Sequence, residues 1–251
     1  MNPLKKKLQA GEPILGFMVT IPNVQLVAIL ARTGIDWIMI DMEHGPIDIA
    51  TAQDMIAATN GTGCTPVVRV PKIDPTTVKP VLDAGAFGIV FPMVLTGDQA
   101  RVAVESMRYP PAGVRGIGPI HAAVRWGLTM AEYIERANDE LVTIALIEDI
   151  RSVENIDAIL ATPGIDVAQI APFDFSASLG VPGQLEHPDV VKAIAIAEEK
   201  ILASDKALGG LGQTAEKTNA MIGKGYRWFV LTHDAGLIQS AAAGFLDHIE
   251  R

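Results

Sequence analysis

One cysteine, Cys64, is the entire thiol content of the 251-residue chain. A lone cysteine cannot close an internal disulfide, so the sequence fits a reducing compartment, and a cytoplasmic protein is expected. Clustered basic residues are equally scarce. The formal net charge is −9, whereas a nucleic-acid surface needs gathered Lys and Arg to neutralise phosphates. The one basic run, Lys5-Lys6-Lys7, reads as a solvated leader. No stretch approaches the roughly 18 to 20 apolar residues that a membrane helix needs, and Met1 to Gly11 lacks the apolar core of a signal peptide. Low-complexity segments and Ser- or Pro-rich linkers are also missing. Neither nucleic acid nor membrane is an expected partner.

What is present is apolar material in quantity. Hydrophobic residues make up 49% of the chain, enough for a core of barrel size. Short β-rich runs alternate with segments of helical period. Eight such runs are expected as strands: 14–19, 36–41, 66–70, 88–92, 142–148, 166–171, 207–212 and 227–232. They are almost continuously apolar, as parallel strands covered on both faces should be. The segments between them, such as 75–84, 153–161, 188–204 and 215–224, are long enough for crossover helices. Eight units in about 250 residues match a (β/α)8 TIM barrel, expected here as one domain over residues 1–251. The longest interruption, SMRYPPAGVRGIGPIHAAVRWG at 106–127, follows the fourth strand, and loops of that length are functional or interfacial more often than idle.

A barrel places reactive residues just after its strands, at the C-terminal rim. In IDWIMIDMEHGP, residues 35–46, an apolar run ends in Asp41, Glu43 and His44. Arg69 lies inside the end of the third strand, Glu148 closes the fifth and Asp174 follows the sixth. Singly, each has a plain reading: a strand-end Asp as a helix cap, an Arg paired with a surface carboxylate, a solvated Glu. Together they converge, because neighbouring parallel strands end about 4.8 Å apart along one rim. Two carboxylates without Cys or His at zinc spacing suit a hard divalent cation, Mg2+ or Mn2+, completed by water and substrate oxygens. Such an ion acts as a Lewis acid on an oxo acid, an arginine holds the developing negative oxygen and a histidine moves the proton. Enolate chemistry fits the set.

With those residues in view, DMEHGP, VVRVP, LDAGAFGIVFPMV, RYPPAGVRGIG, IED and APFDFSASLG resemble, in order and spacing, the motifs of the HpcH/HpaI aldolase family, the metal-dependent pyruvate aldolases. The resemblance runs from about Gly11 to Gly236. It implies a (β/α)8 barrel, a divalent cation (Mg2+, Mn2+ or Co2+) and reversible aldol addition of a pyruvate or hydroxypyruvate enolate to an aldehyde. It further implies a homohexamer, a trimer of dimers with active sites near subunit interfaces. Carried over by position, Glu148 and Asp174 look like the metal ligands, His44 like the base or proton relay, and Arg69 like the cation that stabilises the enolate. Asp83, in LDAGA, corresponds to the carboxylate that partners the histidine, with Asp41 as its companion at the interface. The backbone amides of Phe173 and Asp174 would receive the oxo-acid carboxylate, and Leu211 would line the aldehyde pocket.

Two positions depart from the family pattern: Leu146 stands where a glutamine is common, and Ala171-Pro172 replaces Gly-Pro. Both leave the metal ligands intact and bear on the choice of donor. Three other readings compete. A Schiff-base aldolase would need a mouth lysine such as Lys72; a citramalyl- or malyl-CoA lyase would need a basic patch for CoA phosphates; and a non-catalytic oxo-acid binder would leave the pyruvate methyl protons in place. The glycine-rich LGGLGQT, 208–214, is a weak phosphate signal and a better tight turn.

Overall fold

The computed structural model describes residues 2–247 and 249. Met1, His248, Glu250 and Arg251, which belong to the ends of the expected domain, lie outside the described residues. Eight parallel strands close into a barrel in chain order: β1 (Ile14–Val19), β2 (Trp37–Asp41), β3 (Thr65–Arg69), β4 (Gly88–Phe91), β5 (Val142–Ile147), β6 (Val167–Ile170), β7 (Ala207–Leu211) and β8 (Trp228–His233). β8 pairs with β1 to complete the ring. The fold is the (β/α)8 barrel expected from the alternation of apolar runs and helical segments.

Strand periodicity separates two cores. Residues two apart share a face, so Trp37 and Met39 of β2, Val67 of β3, Ile144 and Leu146 of β5 and Trp228 and Val230 of β8 fill the barrel interior. Their alternates, such as Ile38, Ile40, Val68 and Ile147, pack outward against the helices. Trp37 and Trp228 meet inside the barrel with ring centroids 4.3 Å apart. Gly16 of β1 makes the room, since a Cβ there would stand 2.4 Å from the Trp37 ring.

The basic start is not a solvated leader. It is helix Pro3–Ala10, opened by the Asn2 side chain, which accepts the Leu4 N–H, and closed by Gly11 in the left-handed region. Leu4 and Leu8, four apart, share the face that joins the barrel interior. Lys5 and Lys7 flank that face and reach Asp166 and Asp36, each at 2.6 Å. The lysines thus fasten a plug against the N-terminal end of the barrel, and only Lys6 of the three is fully exposed.

Two further segments differ from expectation in detail. The helix expected at 153–161 is two short helices, Ile150–Glu154 and Ile156–Leu160, that meet at Asn155. The long 106–127 segment holds a helix of its own, Ile120–Arg125, and presents Val114, Ile117, Ile120 and Val124 to solvent. The C-terminal helix Asp234–Leu246 likewise leaves Ile238, Phe245 and Leu246 exposed. Among the described residues no helix is long and apolar enough to cross a membrane.

Candidate active site

Asp41 and Arg69 are the last residues of adjacent strands and face each other in register. Arg69 donates from Nε to Asp41 Oδ1 at 2.8 Å and from Nη2 to Asp41 Oδ2 at 2.7 Å. This two-point pairing fixes the plane of the guanidinium. Burial alone would pull the Arg69 pKa down, but the bonds and charge of Asp41, with Glu43 behind it, raise it overall. Arg69 is therefore a permanent cation at the barrel mouth, with Nη1 left to face Glu43 Oε2 at 3.2 Å.

The turn after β2 is set by the same aspartate. Asp41 Oδ1 also accepts the N–H groups of Glu43, at 3.1 Å, and His44, at 3.4 Å. Gly45 is required behind it: a Cβ would lie 2.4 Å from the Asp41 carbonyl oxygen and 2.9 Å from that of Thr20. The chain folds tightly over the strand end and presents His44 outward, its side chain 65% exposed. His44 Nε2 stands 3.8 Å from Glu43 Oε2.

Glu148, just past β5, is buried. Its Oε1 accepts the Met93 N–H at 2.6 Å, and Met93 holds a left-handed backbone with φ of 52° to present that donor. Burial pushes the Glu148 carboxyl up to about 7; the Met93 N–H opposes this, and the charges of Asp174 and Glu43 add to it. Glu43 is raised too, by burial first, against the pull of Arg69 and with Asp41 and Asp174 adding. These couplings place Glu43, Arg69, Glu148 and Asp174 in one electrostatic group at the rim. Asp174 sits in the first turn of helix Pro172–Ser178, whose opening residues Phe173 and Asp174 have no intrahelical acceptor for their N–H groups. Leu211 ends β7 and packs partly against the barrel interior.

The donor set fits a hard divalent cation. Both candidate ligands offer carboxylate oxygens, and Glu148 holds a raised pKa that a bound cation would reverse. Among the described residues no group of three or more His, Cys, Asp or Glu is placed to hold a metal ion, so two side chains would have to be completed by water and substrate oxygens.

Asp83 stands apart. It ends helix Pro75–Asp83, which runs back from the rim and stops shortly before β4 begins. A nine-residue helix spans roughly 13 Å, so His44 and Asp83 of one chain lie toward opposite ends of the barrel. There Asp83 Oδ1 accepts from Arg115 Nη2 at 2.7 Å. Arg115 is buried over the Tyr109 and Tyr133 rings, 4.6 and 5.5 Å from their centroids. Lys72, the lysine a Schiff-base reading requires, is 70% exposed and pairs with Asp74 at 3.3 Å.

Sequence reasoning placed Glu43 in the strand-end cluster without giving it a task. It missed the Met93 N–H altogether, since any residue carries that donor, and it missed Arg115 as the holder of Asp83. The second arginine in RYPPAGVRGIG was the available signal.

The chain is similar to known proteins over nearly its whole length. The profile of the HpcH/HpaI aldolase/citrate lyase family matches residues 15–241. The 5-keto-4-deoxy-D-glucarate aldolase of Escherichia coli O9:H4 (strain HS) is 34% identical over 250 residues, covering 100% of this chain and 97% of the relative. The crystal structure of an HpcH/HpaI aldolase/citrate lyase family protein from Burkholderia cenocepacia J2315 superposes with a TM-score of 0.92 at 32% identity over 98% of both chains. A citrate lyase beta subunit from M. tuberculosis, at 14% identity and a TM-score of 0.60 over 91% of this chain and 94% of that one, shares the fold alone.

Proposed function

Because the chain belongs to the HpcH/HpaI aldolase/citrate lyase family and is a metal-dependent pyruvate-type aldolase, we propose that its rim residues cleave and form 4-hydroxy-2-oxo acids. The observation that carries this is the Arg69 cation, held flat by Asp41 beside the buried Glu148 carboxyl and Asp174. Glu148 and Asp174 would hold the cation, Mg2+, Mn2+ or Co2+, which when bound supplies Lewis-acid polarisation of the 2-oxo acid.

The remaining work falls to the chain itself. Phe173 and Asp174 N–H groups receive the substrate carboxylate. In cleavage, His44 takes the proton of the 4-hydroxyl, the C3–C4 bond breaks, the aldehyde leaves and the electron pair passes into the enolate. Arg69 stabilises the enolate oxygen. Return of a proton to C3 gives the methyl group of pyruvate, and addition runs the same steps backward. Leu211 contacts the aldehyde portion. Asp83 of a neighbouring copy partners His44, a reading supported by their places toward opposite ends of one barrel. Assembly into a homohexamer, a trimer of dimers, would cover the apolar Val114, Ile117 and Ile120 surface in the segment that holds Asp83. Each 1–251 chain acts as a single domain in the cytoplasm.

The named substrate of the E. coli relative suggests a preferred class. Splitting a 5-keto-4-deoxy aldaric acid between its deoxy and adjacent hydroxyl carbons gives pyruvate and tartronate semialdehyde. The test is a panel of pyruvate and hydroxypyruvate against tartronate semialdehyde, succinic semialdehyde and sugar-derived aldehydes, with each metal in turn. Activity is expected to vanish in excess EDTA and return with Mg2+, Mn2+ or Co2+. Full activity in the chelator, or no deuterium exchange at the pyruvate methyl group, would overturn the reading.

A further inference from the structure

We propose that Glu43 is the positioning residue of His44, holding the exposed imidazole beside Arg69 at the rim. The inference rests on the aldolase reading, in which His44 moves the proton.

Two observations meet at Glu43. First, its Oε2 is buried and makes no aligned hydrogen bond among the described residues. Arg69 Nη1 approaches it to 3.2 Å, but as an ion contact off the hydrogen-bond line. A buried acceptor left with an open lone pair is unfavourable, and it favours whichever N–H can be brought to it. Second, the N–H nearest in the chain that is free to move is that of His44. Its ring carries no other side-chain partner among the described residues, is 65% exposed and stands with Nε2 3.8 Å from that same oxygen. The gap exceeds a hydrogen bond, yet a rotation of the ring about its side-chain bonds closes it.

The surroundings make Glu43 firm where His44 is loose. Asp41 holds the Glu43 backbone N–H at 3.1 Å, and Arg69, itself clamped by Asp41, holds the carboxylate. A ring tied to Glu43 is therefore tied to the plane of the guanidinium. The proton-transfer group and the enolate-stabilising group then move as one unit. With Nε2–H given to Glu43, Nδ1 is the nitrogen left to take the proton, and the Asp83 carboxylate of a neighbouring copy acts on the ring through its charge.

A double-mutant cycle separates this from a purely structural role. Deuterium exchange into the methyl group of pyruvate is measured with saturating Mg2+ for the parent, Glu43→Gln, His44→Ala and the double variant, alongside pyruvate affinity by calorimetry. Glu43→Gln keeps the size and removes the charge. It is expected to slow exchange roughly 10- to 100-fold, within the range of a mispositioned base, and to leave pyruvate affinity within about threefold. In the His44→Ala background it should change exchange by less than about threefold, because a positioning residue has nothing left to position. Should Glu43→Gln fail to fold, Glu43→Asp takes its place in the cycle. Multiplying effects, an unchanged rate, or a loss of affinity in step with the rate would each overturn the proposal; the last would assign Glu43 to Arg69 instead. A parent that exchanges no deuterium would overturn the aldolase reading itself, so the two failures are told apart.

Discussion

As a proposed metal ligand, Glu148 links folding to metal loading through one proton. Its pKa rises from 4.5 to about 7, because burial outweighs the single Met93 N–H. An acid raised in this way holds its proton more tightly folded than unfolded. Its contribution to stability is full below about pH 4.5 and is lost as pH climbs toward 7. At 1.36 kcal/mol per pKa unit the loss by pH 7 is about 3 kcal/mol. Urea unfolding in chelator at pH 5 and pH 7 should show about 2 kcal/mol of it, and Glu148→Gln should remove that part, leaving what Glu43 contributes in the same direction. Since a cation must displace that proton, metal affinity should also rise with pH up to about 7. Arg69 makes a separate demand. Its Nε and Nη2 are spent on Asp41, so only a planar fork leaves Nη1 for the substrate. Arg69→Lys keeps the charge and loses the fork. Its kcat/KM for retro-aldol cleavage should fall by at least about 100-fold, or 2.8 kcal/mol, with the thermal midpoint barely moved; a fall below tenfold would mean that charge alone suffices.

At the scale of elements, the strands were legible because both of their faces are buried. A parallel strand inside a barrel reads as an unbroken apolar run, and the ends of β1 to β8 fall within two residues of those runs. Their charged ends were legible for the same reason, since a carboxylate closing such a run has nowhere to go but the rim. The division of labour between carboxylates was not legible. Asp41 turned out to clamp Arg69 and shape the turn to His44, while Glu148 depends on a backbone donor held by the strained Met93. Long-range pairings such as Arg115 with Asp83, 32 residues apart, leave no local pattern. The lysine run failed as a leader because the Leu4 and Leu8 spacing, only one turn long, gives too short a period to weigh against three charges. Strand β5 offers its own test. Leu146 lies in the barrel interior, in register with Gln169 of β6, whose buried Oε1 accepts no hydrogen bond from the described residues. An amide introduced at Leu146 can donate to that oxygen, so Leu146→Gln should cost no more than about 1 to 2 kcal/mol. Metal affinity should stay within about tenfold, while the ratio of kcat/KM for pyruvate and hydroxypyruvate should change, because the donors differ by a hydroxyl. Identical ratios would remove Leu146 from the donor site.

At the scale of the whole molecule, the distance between His44 and Asp83 becomes a prediction about subunits. One barrel carries the proposed base, His44, at its C-terminal rim and Asp83 toward the other end, pinned by Arg115 at 2.7 Å. If Asp83 serves the histidine of another copy, each variant lacks a different half of every site. His44→Ala subunits still offer Asp83, and Asp83→Asn subunits still offer His44. Mixing the two after dissociation and reassembly should then rebuild intact sites: half of randomly formed pairs are mixed, and each mixed pair holds one good site of two. About a quarter of the parental exchange rate should return, from two preparations that are nearly inactive alone. Ile117, 67% exposed in the segment that carries Arg115, supplies the control. Ile117→Asp should weaken the association of copies and lower activity at low protein concentration, with recovery as concentration rises. Activity that never returns on mixing, while both variants assemble to the parental size, would mean that Asp83 works only within its own chain, as an anchor for Arg115 and the loop it braces.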